Sequence, residues 1–532
     1  MTNIKSLPIK NCQFLIKSII NIIFRNHINI KLSYSYNSPT HKVEEYETDN
    51  VKKFDDIEFI QIRYTDIMGR FLARYFQTDN EEDLDDFFRC GIGVDGSSVK
   101  GFANIDESDM LLIPDKSTLR IAPHLHLSHL SSNPKIATVI ADVYRGFGLG
   151  RSMRDPRYVS QCTEEYLAQN NLLCQVGSEV ECFIFDEILF QKDAEGKNNH
   201  EKTKIISAEQ YGVGKYPIRR KGGYDAPPFQ DSLLEFRFEV AKILKKNYSI
   251  KVTNLNHEVA SSGQIEINFM HSTLTKAADK VQIYKDVIRN IAKQHNKIAN
   301  FMPKPIFGEE DDNLTNSGDN GSGMHVSISL WNKSSDSKNI FYNDNDAYAQ
   351  ISQEGRYFIG GLLDHASSLA AIVAPTINSY QRIVPGFEAP VYIAWARANR
   401  SAIVRIPVNE KNNFKSKRIE FRAPDPSSNP YLAFSAIVAA GLDGMKKKMD
   451  PGDPVNENIY KMSDSKRKGL GIKSLPHSLR ESLQALKSDS DYLKLSFHPE
   501  LLETYFTIKQ DEIDEVENHN SKALQFRLYY DI

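Results

Sequence analysis

The sequence predicts an α+β fold in two parts, a small sheet-rich domain over residues 51–144 and a larger domain over residues 150–532. Three observations carry this. At 532 residues the chain is too long for one small core. Strand-like runs crowd the region before residue 145, and the long helical patterns come only after it. Beyond that point helices and strands mix without regular βα alternation, which disfavours a doubly wound parallel sheet.

The elements follow in chain order. Residues 57–75, IEFIQIRYTDIMGRFLARY, alternate apolar and polar and predict two strands joined by a turn at Met68-Gly69. A short acidic helix is expected over Glu81–Phe88, with its charges on a solvated face. Further strands are expected at Leu111–Ile113, Leu119–Ala122 and Ile136–Val143. The Gly- and Arg-rich stretch Arg145–Pro156 reads as a linker; its GFGLG glycines lack the GxGxxG spacing and the βαβ context of a nucleotide loop. Then come a helix over Tyr158–Asn170, a buried strand over Val176–Phe185, and long helices over Ala277–Asn300 and Arg356–Ala374. A last helix opens at Asn429-Pro430, an N-cap followed by proline at the first helical position, and runs to Lys446–Lys448.

Residues 1–50 stand apart. Their apolar run FLIKSIINIIF is broken by Lys17, and no small-residue cleavage site follows. The segment is read as a disordered N-terminal extension rather than a signal or transit peptide.

Bulk properties exclude several classes. With 40% hydrophobic and 25% charged residues the composition is that of a soluble globular protein. A net charge of −3 argues against a general nucleic-acid binder. Five cysteines without a CxxC pair argue against a disulfide framework or zinc site and fit a reducing, cytoplasmic setting. No apolar run reaches the roughly 18 residues of a membrane span.

The chemistry concentrates in carboxylates on expected strands. Glu179 and Glu181, in GSEVECFIF, share one strand face about 7 Å apart. The apolar flank implies burial, and two buried carboxylates need a cation or other partners. Glu258 and Glu266 flank a turn at Ser261–Gly263; symmetry about Ser262 would set them opposite each other at about 5 Å. His325, in NGSGMHVSISL, shares a strand face with Ser327 and Ser329, and Glu420 stands two residues from Arg422 in RIEFRAPDP. Hard oxygen ligands with one imidazole suit Mg²⁺ or Mn²⁺ rather than zinc. Arg382, Arg400, Arg405, Arg418 and Arg422 supply guanidinium forks for carboxylates and phosphates, which points to phosphoryl transfer. No GxxxxGK[ST] string occurs, so an ATP site would not be a P-loop. Glu388 lies in VPGFEAP, a loop with a hinge-capable glycine that could close over a site.

Over roughly residues 55–532 these strings resemble glutamine synthetase of the bacterial and archaeal type. The resemblance rests on VDGSSVKGFANIDESDMLLIPD, GSEVECFIF, KGGYDAPP, HEVASSGQIEINF, NGSGMHVSISL, NSYQRIVPGFEAPVYIAWARANRSAIVRIP and RIEFRAPDPSSNPYLAF, present in family order. It implies a β-grasp domain, then a catalytic domain whose curved antiparallel sheet is surrounded by helices. It also implies ATP and two or three Mg²⁺ or Mn²⁺ ions. Glu181, Glu258 and Glu266 match the ligands of one ion; Glu179, His325 and Glu420 match those of a second. Arg400 and Arg405 match phosphate-facing arginines, with Arg418, Ser327 and Ser329 on the nucleotide side. Arg382, Arg422, Asn320 and Gly321 match the glutamate site. Asp95, Ser98, Tyr224 and Glu258 match the ammonium site beneath a lid bearing Glu388. Asp95 and Ser98 would reach a neighbouring subunit, which implies a homo-oligomer, usually a dodecamer of two hexameric rings. The chain departs from the pattern at the insertion Glu309–Gly318, at Thr253 and Ser327, where many relatives have Glu and His, and at Asn104, which replaces an arginine used in feedback control. Tyr460 aligns with a tyrosine adenylylated in one branch, but its setting NIYKMSD differs, so adenylylation is not expected.

Overall fold

The computed structural model describes residues 57–78, 81–125, 135–192, 201–307, 318–333, 337–519 and 522–532. The extension over residues 1–50 and all of the insertion except Gly318 lie outside them.

The expected hairpin forms from β1 (Phe59–Thr65) and β2 (Phe71–Gln77), paired from Phe59↔Gln77 to Thr65↔Phe71. It joins β3 (Ile92–Asp95), β4 (Asp109–Pro114), β5 (Arg120–Ile121) and β6 (Ile136–Tyr144) in a six-stranded sheet of order β2-β1-β6-β4-β3, with β5 on β6. Helix α1 (Glu81–Cys90) packs on this sheet near β4. The polar face of β1 is not solvated. Gln61, Arg63 and Thr65 are buried, because the larger domain covers them: Gln282 donates to Thr65 Oγ1 at 3.0 Å and Arg63 pairs with Asp286.

The larger domain is built on a ten-stranded sheet. Its long strand β7 (Leu172–Phe185) is followed by a separate hairpin, β8 (Glu187–Lys192) with β9 (Glu201–Ile206). The other members are β10 (Val252–His257), β11 (Gln264–Phe269), β12 (Ser272–Thr273), β13 (Ile298–Asn300), β14 (Met324–Asn332), β15 (Tyr392–Arg397), β16 (Ala402–Ile406), β17 (Ile419–Phe421) and β18 (Lys473–Ser474). The order is β10-β11-β7-β14-β17-β16-β15-β18, with β12 and β13 also on β7; all described pairs but β15–β16 are antiparallel. Helices α2 (Pro156–Gln169), α3 (Leu234–Tyr248), α4 (Leu274–Gln294), α5 (Gln353–Asp364), α6 (Ala366–Val373), α7 (Ser379–Arg382) and α8 (Pro430–Lys447) surround it. Helix α4 packs on β7, where Tyr284 Oη donates to the Val180 carbonyl at 2.9 Å.

Helix α8 begins as its sequence requires, with Asn429 accepting from Tyr431 N at 3.1 Å and Pro430 in the first turn. Two helices differ from expectation. The segment Ala277–Asn300 stops being helical at Gln294; Asn296 adopts φ +54°, a conformation Asn tolerates, and Ile298–Asn300 pairs with Phe183–Phe185 as β13. The segment Arg356–Ala374 divides at His365. That ring lies between Asp443 at 2.9 Å and Asp489 at 2.8 Å and stacks on Tyr492, so side-chain contacts hold the break.

The Gly- and Arg-rich connection is pinned rather than slack. Tyr144 bridges to Arg151, and Arg151 pairs with Asp142 and Asp155. Asp155 caps α2 at Arg157 N. Arg157, 4% exposed, then gathers Asp115 and Asp142 of the small domain and Asp279 of α4 at 2.6–3.0 Å. Although burial alone disfavours a cation, Asp279 and Asp142 hold this guanidinium well above its ordinary pKa.

Candidate active site

Strand register assembles the site in rows across one face of the large sheet. In one row Asn256, Glu266 and Glu181 are successive cross-strand neighbours on β10, β11 and β7. In the next, Glu179 of β7 faces His325 of β14. In a third, Gly177, Ser327, Glu420 and Arg405 run across β7, β14, β17 and β16. Residues i and i+2 share a strand face, so the three rows form one acidic floor.

The expected facing of Glu258 and Glu266 is corrected. The ladder pairs Asn256 with Glu266, and Glu258 N bonds the Gln264 carbonyl at 2.9 Å, so the hairpin is centred on Ser261. Glu258 is diagonal to Glu266, and the residue directly opposite Glu266 is Glu181. Like charges directly opposed destabilise a sheet. Burial pushes these carboxyls up first, with repulsion from Glu179 on Glu181 and from Glu181 on the other two: Glu181 to about 7, Glu258 to about 9 and Glu266 to about 8. The fold fixes their positions regardless. Glu181 accepts from Gly323 N at 2.9 Å and Gln264 Nε2 at 3.1 Å; Glu266 accepts from Asn268 at 2.7 Å and Asn256 at 3.3 Å. Behind Glu258, His257 Nδ1 meets the Glu258 carbonyl at 2.8 Å while its Nε2 meets Glu209 at 2.9 Å.

Ligand atoms of Glu179, His325 and Glu420 lie within 4.8 Å of one another. Burial, then the nearby Arg422, pushes His325 well below its ordinary pKa, leaving the neutral imidazole a metal requires. Glu420, 1% exposed, accepts from Arg405 Nε at 2.7 Å and Arg422 Nη1 at 2.8 Å. Its burial would raise its pKa, but Arg422 and Arg405 outweigh that and keep it ionised. A carboxylate-rich face with one neutral imidazole, and with like charges built opposite one another, has the donor chemistry for hard divalent cations.

The glutamate-site candidates gather beside this floor. Arg382, buried on α7, donates to the Ala423 carbonyl at 3.1 Å. Among the described residues Asn320 Oδ1 and Arg422 Nε are buried without hydrogen-bond partners, an acceptor and a donor available to a ligand. Gly321 lies against them; a Cβ there would come 2.5 Å from the Pro303 carbonyl and 3.0 Å from Arg382. On the opposite flank, Ser329 accepts from Trp331 Nε1 at 2.9 Å and pairs across the sheet with Gln175. Arg418 is held by Asn409 and Ser416, and its charge is felt at His271, which bonds Gln175 at 2.9 Å. Arg400 is exposed, with its charge reaching Glu258 and Tyr224.

Tyr224 projects from a loop packed on the β10–β11 turn. Gly223 N bonds the Val259 carbonyl at 3.2 Å, and a Cβ on Gly223 would come 2.3 Å from the Glu258 carbonyl, so only glycine permits this approach. Glu388 is exposed at φ +59°, beside the open-space glycine Gly386. Asp95 is the candidate that the fold does not bring in. It ends β3 on the small domain, where Ser97 and Ser98 bond its carboxylate at 2.6–2.9 Å and hold its pKa below the ordinary value.

Sequence reasoning overlooked Gln264. Its amide donates to Glu181, to the Gly321 carbonyl at 3.0 Å and to Ser322 Oγ at 3.2 Å, while its oxygen accepts from Ala260 N at 3.0 Å. It ties a metal-type ligand, the glutamate-side turn and the Glu258 turn together. The available signal was its position two residues before Glu266 on one strand face. Asp319 was missed too; it bonds Ser261 N at 2.7 Å and Asn320 N at 2.9 Å.

Residues 56–146 match the family described as "Glutamine synthetase, beta-Grasp domain", and residues 153–529 match "Glutamine synthetase, catalytic domain". The chain belongs to the glutamine synthetase family. A glutamine synthetase of Sulfolobus acidocaldarius is 45% identical over 471 residues, covering 88% of this chain and 94% of the relative. That of Streptomyces filamentosus is 39% identical, covering 92% and 99%. Among solved structures, a cryo-EM structure of Plasmodium falciparum glutamine synthetase superimposes with a TM-score of 0.73 at 27% identity, covering 91% of this chain and 97% of that one. A structure titled "Apo GmaS without ligand" does so at 0.68 and 26%, covering 89% and 96%. Membership makes this a glutamate–ammonia ligase, dependent on ATP and on metal. No helix among the described residues is long and apolar enough to cross a membrane.

Proposed function

We propose that the acidic floor holds two or three Mg²⁺ or Mn²⁺ ions, with Glu181, Glu258 and Glu266 on the glutamate side and Glu179, His325 and Glu420 on the ATP side. When bound, these ions offset phosphate charge and polarise the reacting oxygens. Arg382 and Arg422 bind the carboxylates of glutamate, with Asn320 and Gly321 seating the rest. Arg400 and Arg405 stabilise the γ-phosphoryl group during its transfer to the side-chain carboxylate, and Arg418, Ser327 and Ser329 face the nucleotide. Ammonium binds among Tyr224, Glu258 and the Asp95 and Ser98 of a second copy. Loss of a proton to Asp95 leaves ammonia to attack the γ-glutamyl phosphate. Glu388 closes over the site and excludes water, which would otherwise hydrolyse that intermediate. The active form is a homo-oligomer, a dodecamer of two rings in the cytosol; what supports assembly is that Asp95 lies on the small domain, bonded to Ser97 and Ser98 and not among the ligand-type residues of its own chain.

The observation that carries this reading is the direct opposition of Glu181 and Glu266 beside the Glu179–His325–Glu420 cluster. The test is an assay of the full chain with ATP, Mg²⁺, glutamate and ammonium. Glutamine and phosphate should form in equal amounts and only with metal present. Turnover with methylamine or a polyamine, and none with ammonium, would overturn the assignment of Tyr224, Glu258 and Asp95 to an ammonium site.

A further inference from the structure

The loop that carries Glu388 is gripped by groups absent from the ligand set. Phe387 lies under two ammonium groups, Lys304 Nζ at 3.6 Å and Lys221 Nζ at 4.5 Å from its ring centroid. Lys221 also donates to the Gly386 carbonyl at 2.8 Å. On the other side of Glu388, Tyr460 Oη donates to the Ala389 carbonyl at 2.6 Å. Glu388 is therefore fixed at both neighbours while its own backbone sits at φ +59°, a conformation a non-glycine residue keeps only when its surroundings impose it.

The two lysines are anchored on different sides of the site. Lys221 stands three residues before Tyr224 on the loop packed against the β10–β11 turn. Lys304 is buried and donates to the carbonyl of Asp319, the residue that bonds Ser261 and Asn320. Among the described residues neither lysine has a carboxylate within ion-pair distance. An ammonium without an anion is attracted to an aromatic face, the more so when desolvated. Burial first, then Lys221, Arg382 and Arg220, pulls the Lys304 pKa down to about 7 against the attraction of Asp319; the ring face favours the charged form, and moving it away would leave cations facing one another.

We infer that Phe387, Lys221 and Lys304 form a latch that positions Glu388, docking the lid only when the Tyr224 loop and the Asp319–Asn320 turn are both in place. The inference rests on Glu388 being the closing residue. A lid that fails to latch admits water to the γ-glutamyl phosphate. Water then adds at the γ-carbonyl carbon, the carbon–oxygen bond to phosphate breaks, and glutamate and phosphate are released without glutamine.

The full chain is assayed with ATP, Mg²⁺, glutamate and ammonium, measuring phosphate and glutamine together. Phe387→Leu keeps apolar bulk but removes the π face. It should release phosphate in excess of glutamine and raise the ammonium KM by about tenfold, the size of one or two lost cation–π contacts, with the ATP KM unchanged. Phe387→Tyr should restore equal yields. Lys304→Met should reproduce the excess phosphate, and the Phe387→Leu/Lys304→Met double variant should be no worse than either single one. Equal phosphate and glutamine in both single variants with an unchanged ammonium KM would overturn the latch, as would strictly additive effects. Glu388→Ala separates the two readings. If it abolishes synthesis while Phe387→Leu stays coupled, only the latch fails; if it leaves synthesis intact, the role of Glu388 fails and the latch falls with it. Should Phe387→Leu not fold, Lys304→Met and Lys221→Met carry the same comparison.

Discussion

At the residue scale the unusual quantity is unbalanced negative charge. Glu181, Glu258 and Glu266 have carboxyls raised by burial and by neighbouring carboxylates. A carboxyl raised on folding binds more protons folded than unfolded across the interval between its two values, so it destabilises the fold as pH rises through that interval. For these three the interval runs from the ordinary value of 4.5 to about 9. Metal-stripped protein should therefore melt at a lower temperature at about pH 8.5 than at about pH 6. Mg²⁺ should raise the melting temperature more at the higher pH, because it replaces protons already lost. A Mg²⁺ shift of equal size at both pH values would show that the three carboxyls do not share an ion. The ligand types were legible in the sequence, since period-two spacing places Glu179 with Glu181 and His325 with Ser327. Their neighbours were not. That Glu181 faces Glu266 depends on pairing residues 85 positions apart, and the lysines over Phe387 come from segments with no local link to it.

At the element scale the sequence is most informative where the cause is local. Asn429 and Pro430 fix the start of α8, and alternation fixes β1 and β2. It is least informative where a tertiary contact decides. His365 divides α5 from α6 with neither Gly nor Pro, through two aspartates distant in sequence. The β10–β11 turn lies at Ser261–Gly263 as expected, but its pairing is centred on Ser261 rather than Ser262, because the two serines are equally suited to a turn and only the β10–β11 ladder selects between them. Asn429 also shows an element serving a junction. Its oxygen caps α8, while its amide donates to the Asp66 carbonyl at 3.0 Å in the small domain. Asn429→Ala should cost about 2 kcal/mol, combining a cap and a buried hydrogen bond. Asn429→Asp should cost about half as much, since the cap survives. Denaturant midpoints of the two variants check this, and equal losses would mean the amide contributes nothing to the junction.

At the scale of the whole molecule, the site is divided between the two domains in an unequal way. Every ligand-type residue lies on the large sheet or, for Glu258, just past the end of β10, while Asp95 stands at the end of β3 with its own serines. If a second copy completes the site, two inactive variants should complement. Asp95→Asn mixed with Glu258→Gln, unfolded and refolded together, should recover activity that neither refolded alone possesses. No recovery in verified mixed oligomers would place Asp95 outside the reaction. The small domain is held to its own chain by Arg157 and by the covered polar face of β1. Strand β7 is the spine of the larger part, since β11, β12, β13 and β14 all pair with it. This has a consequence for how the gene can vary. Deleting one codon at the start of β7 would turn Val180 and Cys182 toward the acidic floor and bury Glu179 and Glu181 against α4. Neighbouring strands could not follow, because each is committed to its own partners. Composition along that stretch can drift, but its length cannot, and a library that randomises β7 should hold the codon count constant.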